Sequence, residues 1–471
     1  MISLLNVPFS VGCKVRSCLA YTSWLVLLGV LLQPHRSLAT DQAAHQGFFD
    51  ALIQRSTLSS LVRLEGAVAT HDGDLQKLEV TYEPKLKIEL PYRLRLTTIV
   101  RLRGDAVDKL EPGAPDQPEV APVSRSLSLG DHVTFDLREC YLDGTIGRTL
   151  LRVGKQQIVW GKADGLKVLD VVNPQSFREF ILEDFDKSRL PLWAVNAEIP
   201  LAAVMLQLVW IPENTYHDLP TSNATFAFTS PLLVPPRQPG VRVDLRNTER
   251  PGPLLLNSDI GARLSAFWRG WDFTVNYLYH YDDLPVLFRE LSLTPSGPLA
   301  TITPRYKRTH LVGGTFSNAL GKFVVRGEVG FSFGRFFSTE DPTSANGVIR
   351  TNEFASVLGL DWSGVEETFM SVQFFQSVLT ERPPGVFRDQ CEGVITALVR
   401  RNFLHDRLVA ELLWLQSLNR GDGLVRSKIR YELRSSVTIW GGADVFYGDK
   451  QGLFGEFTQQ TRVVFGLEWG F

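Results

Sequence analysis

Between Leu424 and Arg434 charge alternates with bulk. Arg426, Lys428, Arg430, Glu432 and Arg434 take every second position, and Val425, Ser427, Ile429, Tyr431 and Leu433 fill the gaps. A period of two places the two sets on opposite faces of a strand. A charge facing lipid at mid-bilayer costs roughly 2–4 kcal/mol, so five on one face need water. Toward a wet lumen, such a ladder sets the selectivity of a pore. Tyr92–Arg103 repeats the pattern, with Arg93, Arg95, Arg101 and Arg103 against Tyr92, Leu94, Leu96, Val100 and Leu102. Arg326 and Glu328 repeat it between Val325, Gly327 and Val329. The pore-lining candidates are therefore Arg93, Arg95, Arg101, Arg326, Glu328, Arg426, Lys428, Arg430, Glu432 and Arg434. Two blander roles compete: the water-facing side of an ordinary sheet, and a plugged barrel whose inner charges neutralise one another.

Other chemistry is weaker. Acyl hydrolysis needs a serine beside a base that a third group orients. None of His45, His71, His132, His217, His280, His310 and His405 stands in such a pattern, and His280 between Tyr279 and Tyr281 fits an interfacial aromatic girdle. No catalytic residue is assigned. Asp164, Asp170 and the run Glu183-Asp184-Phe185-Asp186 could offer oxygens to calcium, but their spacing matches no calcium loop, and Lys187 and Arg189 stand beside them. Ion pairing is the simpler role, and no metal or cofactor is expected.

The ladders need strands to carry them. The clearest is the last: Thr461, Val463, Phe465, Leu467, Trp469 and Phe471 share one face, while Arg462, Val464, Gly466, Glu468 and Gly470 share the other. This run resembles the aromatic-ended terminal strand of bacterial outer-membrane barrels. That resemblance implies that Phe465, Trp469 and Phe471 serve as the assembly signal read by the barrel-assembly machinery. At the other end, Trp24–Leu32 is a short apolar core behind Lys14 and Arg16, and Ser37-Leu38-Ala39 suits a signal peptidase, so residues 1–39 read as a cleaved signal peptide. Without the leader's three cations, 46 basic and 51 acidic residues leave the mature chain at −5, which offers no electrostatic case for nucleic acid. Cys140 and Cys391 remain as a pair or as two lone thiols.

Residues 40–59 read as a periplasmic segment, with an amphipathic turn over Gln46–Gln54. From residue 60 to 471, runs of alternating hydrophobicity recur between turn signals, and counting back from Phe471 short turns alternate with longer loops. The fold class is all-β: a transmembrane antiparallel β-barrel of about 14–18 strands, best counted as 18.

One insertion breaks the rhythm. In 161–189, Asn173 could cap a short helix with Pro174 at its first position, and Phe177, Phe180, Ile181 and Phe185 recur at helical spacing among charges. Such a stripe needs a packing surface, which the inside of a barrel provides and an exposed loop tip does not. The segment is expected to fold inward as a constriction loop, with Asp164, Asp170, Asn173, Arg178, Glu179, Glu183, Asp184, Asp186 and Arg189 as its functional candidates.

The run Gly154-Lys155-Gln156 … Trp160-Gly161-Lys162-Ala163-Asp164-Gly165 … Asp170-Val171-Val172-Asn173-Pro174, followed by Ser188-Arg189-Leu190-Pro191-Leu192-Trp193, resembles a proteobacterial outer-membrane family of unknown function. The likeness continues through Trp210-Ile211-Pro212-Glu213. It implies a porin-like architecture in contact with outer-membrane lipid, and more faintly an inner-membrane exporter as partner. The expected function is a porin-like channel for passive passage of small or amphipathic solutes. The alternative is a non-conducting outer-membrane component of a lipid or hydrophobic-compound export system.

Overall fold

A computed structural model describes residues 54–471 apart from 115, 164, 235–238, 253–254, 342, 345 and 383. The signal peptide, nearly all of the periplasmic segment with its amphipathic turn, His45 and Asp164 lie outside the described residues.

Eighteen strands form one antiparallel ring: β1 (Ser56–Ala69), β2 (Leu75–Leu90), β3 (Leu94–Asp105), β4 (Val133–Ile146), β5 (Thr149–Gln156), β6 (Leu192–Leu201), β7 (Val204–Ile211), β8 (Asp259–Trp268), β9 (Trp271–Tyr281), β10 (Arg308–Leu320), β11 (Phe323–Ser338), β12 (Val348–Trp362), β13 (Thr368–Leu379), β14 (Cys391–Phe403), β15 (Leu408–Ser417), β16 (Gly423–Arg434), β17 (Val437–Tyr447) and β18 (Arg462–Gly470). Each pairs with the next, and β1 pairs with β18 from Leu61↔Gly470 to Ala69↔Arg462, so no sheet edge is left open. A short strand, Leu127–Leu129, lies on β4 outside the ring. Three more strands that the sequence pattern did not suggest, Arg242–Leu245, Val286–Thr294 and Gly297–Arg305, form a separate small sheet in the loops.

The turns at one end are short: 91–93, 147–148, 202–203, 269–270, 321–322, 363–367, 404–407 and 435–436. Arg269 and Gly270, with φ of 50° and 86°, make a two-residue turn whose twist suits paired strands. Phe471 lies at this end. The long connections 106–132, 157–191, 212–258 and 282–307 lie at the other.

Side chains alternate as a membrane barrel requires. Leu64, Val275, Leu358, Val372, Ile429 and Phe465 are exposed on the outside. Arg63, Glu79, Gln207, Glu328 and Arg462 are buried within. No helix among the described residues is long and apolar enough to cross a membrane. A closed ring leaves no backbone group unpaired in lipid, and an outward apolar belt buries itself there. The chain is an outer-membrane β-barrel.

Local irregularities re-aim particular side chains. Pro84 has no N–H to give, and the β2–β3 ladder skips from Tyr82↔Leu102 to Lys85↔Ile99. On β11 the register shifts between Ser332 and Arg335. There Gly334 sits at φ 65° and donates its N–H to Asn352 Oδ1 at 2.8 Å. One residue is gained, so Arg335 turns to the inner face, where strict alternation would have sent it to lipid. On β16 the shift falls between Glu432 and Arg434. Arg434 then pairs with Val437, which pairs with the outward Trp469.

One expectation about local structure changes, and one open alternative is decided. Tyr92 and Arg93 are not strand residues; they form a turn, both at φ 60°. Cys140 on β4 and Cys391 on β14 are free thiols.

Candidate functional site

The lumen is organised by residues 157–191, which enter it between β5 and β6. Asn173 does not cap a helix. Its Oδ1 accepts the Ile158 N–H at 2.6 Å and its Nδ2 donates to the Leu190 carbonyl at 2.9 Å, closing the base of the loop. The expected helix over 174–185 is absent; only Phe185–Ser188 is helical. Phe180 sits at φ 54°, which no right-handed helix accommodates, and the isolated bridge Gln175↔Arg189 holds this stretch open as a hairpin-like loop.

Three anchors hold the loop. At the first, Trp160 is fully buried, donates its indole N–H to Gln207 Oε1 at 3.0 Å, and covers Gly261, where a Cβ would meet its ring. The second is Glu328. One of its carboxylate oxygens accepts the N–H groups of Lys162 and Ala163 (2.5 and 2.7 Å), the other those of Val168 and Leu169 (2.9 and 3.0 Å). Ile158, Trp160, Val168, Leu169 and Val172 then pack against Val209, Leu278, Leu311 and Val357 of the wall.

The third anchor is a lattice of charge. Arg178 meets Glu79 and, at 2.7 Å, Glu111. Glu179 accepts from Lys77 at 2.6 Å and from Arg462 at 2.8 Å. Arg462 also reaches Asp444 at 2.9 Å, and Glu183 lies 3.9 Å from Arg178. Within the loop, Asp170 accepts Arg189 (Nε, 3.0 Å) and Lys167 (2.9 Å), and Asp184 accepts Lys187 at 2.9 Å. Asp186 contributes its carbonyl, which accepts from Arg138 and from Gln157. Among the described residues no cluster of His, Cys, Asp or Glu has the arrangement of a metal site.

The pore-lining candidates divide by environment. Arg93 lies exposed in its turn. Arg95 pairs with Glu89 at 2.6 Å near the short-turn end, and Arg101 with Glu83 at 2.6 Å. Arg326 pairs with Asp361 and donates to the Lys162 carbonyl. Glu328 is spent on the loop. Arg426 donates to Asp444 at 3.1 Å and to the Leu182 carbonyl at 2.7 Å. Lys428 lies 4.5 Å above the Trp440 ring, Arg430 is exposed, and Glu432 shares their inner face. Arg434 leaves that face at the bulge. Phe465 faces outward over Gly66, and Trp469 and Phe471 pack together outside at 4.7 Å.

The loop does not fill the lumen evenly. Toward β1–β4, β17 and β18 the ion pairs occupy the space. At the outer end, Phe180 joins Phe226, Phe446, Phe454 and Phe457 in an aromatic cluster, 4.7 Å from the Phe457 ring. Toward β9–β16 a cavity of about 760 Å³ remains, from Asp282, Asp283 and Arg335 at the outer end down to Phe369, Arg400 and Glu411 near the short turns. Its outer rim carries residues that alternation did not single out. Arg335 binds Asp282 at 2.6 Å and also Glu353, which takes a second arginine, Arg388, at 2.7 Å. The one available signal was Gly334 near a strand end. Beside them, His217 Nδ1 accepts the Gln175 N–H at 3.0 Å. Burial keeps that imidazole neutral, lowering it to about 4, and burial reinforced by Glu111 pushes Asp218 up to about 7.

A model of the family described as "Protein of unknown function (DUF1302)" matches residues 128–405. No curated protein matches the sequence. Among solved structures, similar chains include Pseudomonas aeruginosa OccK2 (OpdF) in complex with glucuronate, at 9% identity over 89% of this chain and 98% of that one, with TM-score 0.49. Acinetobacter baumannii OccAB3 matches at 8% identity over 88% and 98%, TM-score 0.48. Salmonella typhi OmpF, in complex with daunomycin, matches at 8% over 88% and 97%, TM-score 0.39. A likeness of this size says nothing about cargo.

Proposed function

The chain belongs to the DUF1302 family, and we propose that this member is a porin-like channel for the passive passage of small or amphipathic solutes, with residues 161–189 as its constriction. The observation that carries the proposal is the 760 Å³ cavity between loop and wall, lined from one end of the barrel toward the other. Between them apolar side chains, Leu311, Phe375, Leu398 and Leu413 on the wall and Phe177 and Ile181 on the loop, alternate with Ser371, Gln373 and Thr396. Charges crowd both ends. A solute with an apolar body and a polar end suits such a lining better than a bare ion does.

A second reading rests on the filled half. Where the charge lattice and the aromatic cluster close the lumen, the barrel resembles a plugged scaffold, which suits a non-conducting component of an export system with an inner-membrane partner. Purified protein in planar bilayers separates the two. Discrete conductance steps support the channel; silence from folded, heat-modifiable protein supports the scaffold and overturns the channel.

A further inference from the structure

The lower half of the cavity breaks the rule that a wet barrel is polar inside. Leu398 pairs with Leu413, and Leu413 with Arg426, so these three side chains stand in one row around the inner wall. Phe375 and Leu415 lie on the same inner surface toward the outer end, and Ile181 and Phe185 of the loop face the cavity with them. Leu398, Leu413, Phe375, Ile181 and Phe185 are only half-buried. Phe375 packs at the edge of the cluster around Trp160, and Ile181 and Leu413 at the edge of the cluster around Phe180, and each also turns a face to the cavity.

One step toward the short-turn end, the next inner row is Arg400↔Glu411↔Lys428, and the row after it holds Val409↔Arg430. Two residues along a strand span about 7 Å. Arg400 is answered by Glu411 at 2.8 Å. Among the described residues, Lys428 and Arg430 have no carboxylate within salt-bridge distance; Lys428 rests on the Trp440 ring, and Asp184, which acts on it, is bound to Lys187. Two cations without a carboxylate partner thus stand one and two rows below the Leu398–Leu413–Arg426 row, on one strand of a rigid wall beside the foot of the cavity.

We propose that this is a binding site for an amphipathic monocarboxylate, its apolar body against Leu398, Leu413, Ile181 and Phe185 and its carboxylate at Lys428 and Arg430. The site rests on the channel reading for its biological sense but not for its detection. The solute is held by differential chemistry: a carboxylate without a tail leaves the pocket empty, and a tail with an ammonium head meets Lys428 and Arg430 as like charges. Arg430 offers a planar fork suited to a carboxylate, and Lys428 a point charge beside it.

The test uses the full mature protein in lipid nanodiscs and 3-phenylpropionate as probe, with binding read by saturation-transfer NMR so that it is independent of conductance. Saturable binding is expected, with acetate and 3-phenylpropan-1-amine each failing to displace the probe at equal concentration. Lys428→Gln with Arg430→Gln should weaken binding about tenfold, as loss of charge-assisted bonds to an exposed head would. Leu413→Ser, on the tail side, should weaken it independently. Displacement by acetate or by the amine as efficient as by unlabelled probe overturns the proposal, as does undiminished binding in both variants. Silence in planar bilayers together with intact probe binding would remove the channel and leave this site standing.

Discussion

Glu328 gathers four backbone N–H groups from the loop onto one carboxylate with no exposure to solvent. The spacing of Trp160-Gly161-Lys162-Ala163 and Val168-Leu169 is what brings two pairs of amides to one acceptor. Glu328→Gln keeps the size but removes the charge and sets an amide group against N–H donors. The loss of charge-assisted bonds costs about 2–3 kcal/mol, which should speed hydrogen exchange at residues 162–169 on the order of a hundredfold. Unchanged exchange would show that the loop is held elsewhere. The ladder makes a second prediction at this scale. Arg426 is shared with Asp444, whereas Lys428 and Arg430 are uncommitted, so the lumen near β16 carries an excess of positive charge. At low salt the pore should favour anions and lose that bias as salt rises. Arg426→Gln with Arg430→Gln should weaken the bias, and identical reversal potentials in variant and parent would show that these groups do not face the path.

At the scale of elements, the period of two was readable because each face of a wall strand meets a single solvent. Val463, Phe465 and Trp469 could be assigned to lipid, and Arg426 and Lys428 to the lumen, from spacing alone. A bulge defeats the same argument, because one inserted residue exchanges the faces beyond it. Arg434 leaves the lumen this way, and Arg335 enters it. The stripe of Phe177, Phe180, Ile181 and Phe185 misled for another reason. Helical spacing reports a shared side only if the backbone is helical, and here tertiary partners separate the side chains: Phe180 enters the outer aromatic cluster with Ile181 at its edge, Phe177 goes to the edge of His217 at 5.0 Å, and Phe185 to the cavity. The strands 242–245, 286–294 and 297–305 were missed because they lie in the connections 212–258 and 282–307 and pair only with one another, outside the ring. The β11 bulge can be tested directly. Gly334 holds φ 65° with the Arg350 guanidinium against its α-carbon. Gly334→Val should cost about 1–3 kcal/mol of backbone strain and lower the temperature of heat modification. An unaltered transition would mean that the bulge can relax without glycine.

Across the whole molecule, closure and filling are separate achievements. The ring closes through β1 and β18, and its last bonds are those of Ser60 with Phe471, at 2.7 and 2.9 Å. Removing Phe471 should leave export to the periplasm intact and reduce the folded barrel in the outer membrane, because a free edge remains at the seam. Normal amounts of heat-modifiable protein would argue against that role for the terminal residue. The filling depends on the loop, while the wall ladders are made strand to strand without it. The most direct test of the account is therefore the single-channel conductance of the intact protein beside that of a variant in which Lys162–Lys187 is replaced by a short Gly/Ser turn. A folded barrel with larger steps and poorer discrimination among solutes is the result expected. Equal conductance in the two, or none in either, would contradict the claim that this loop constricts an open path.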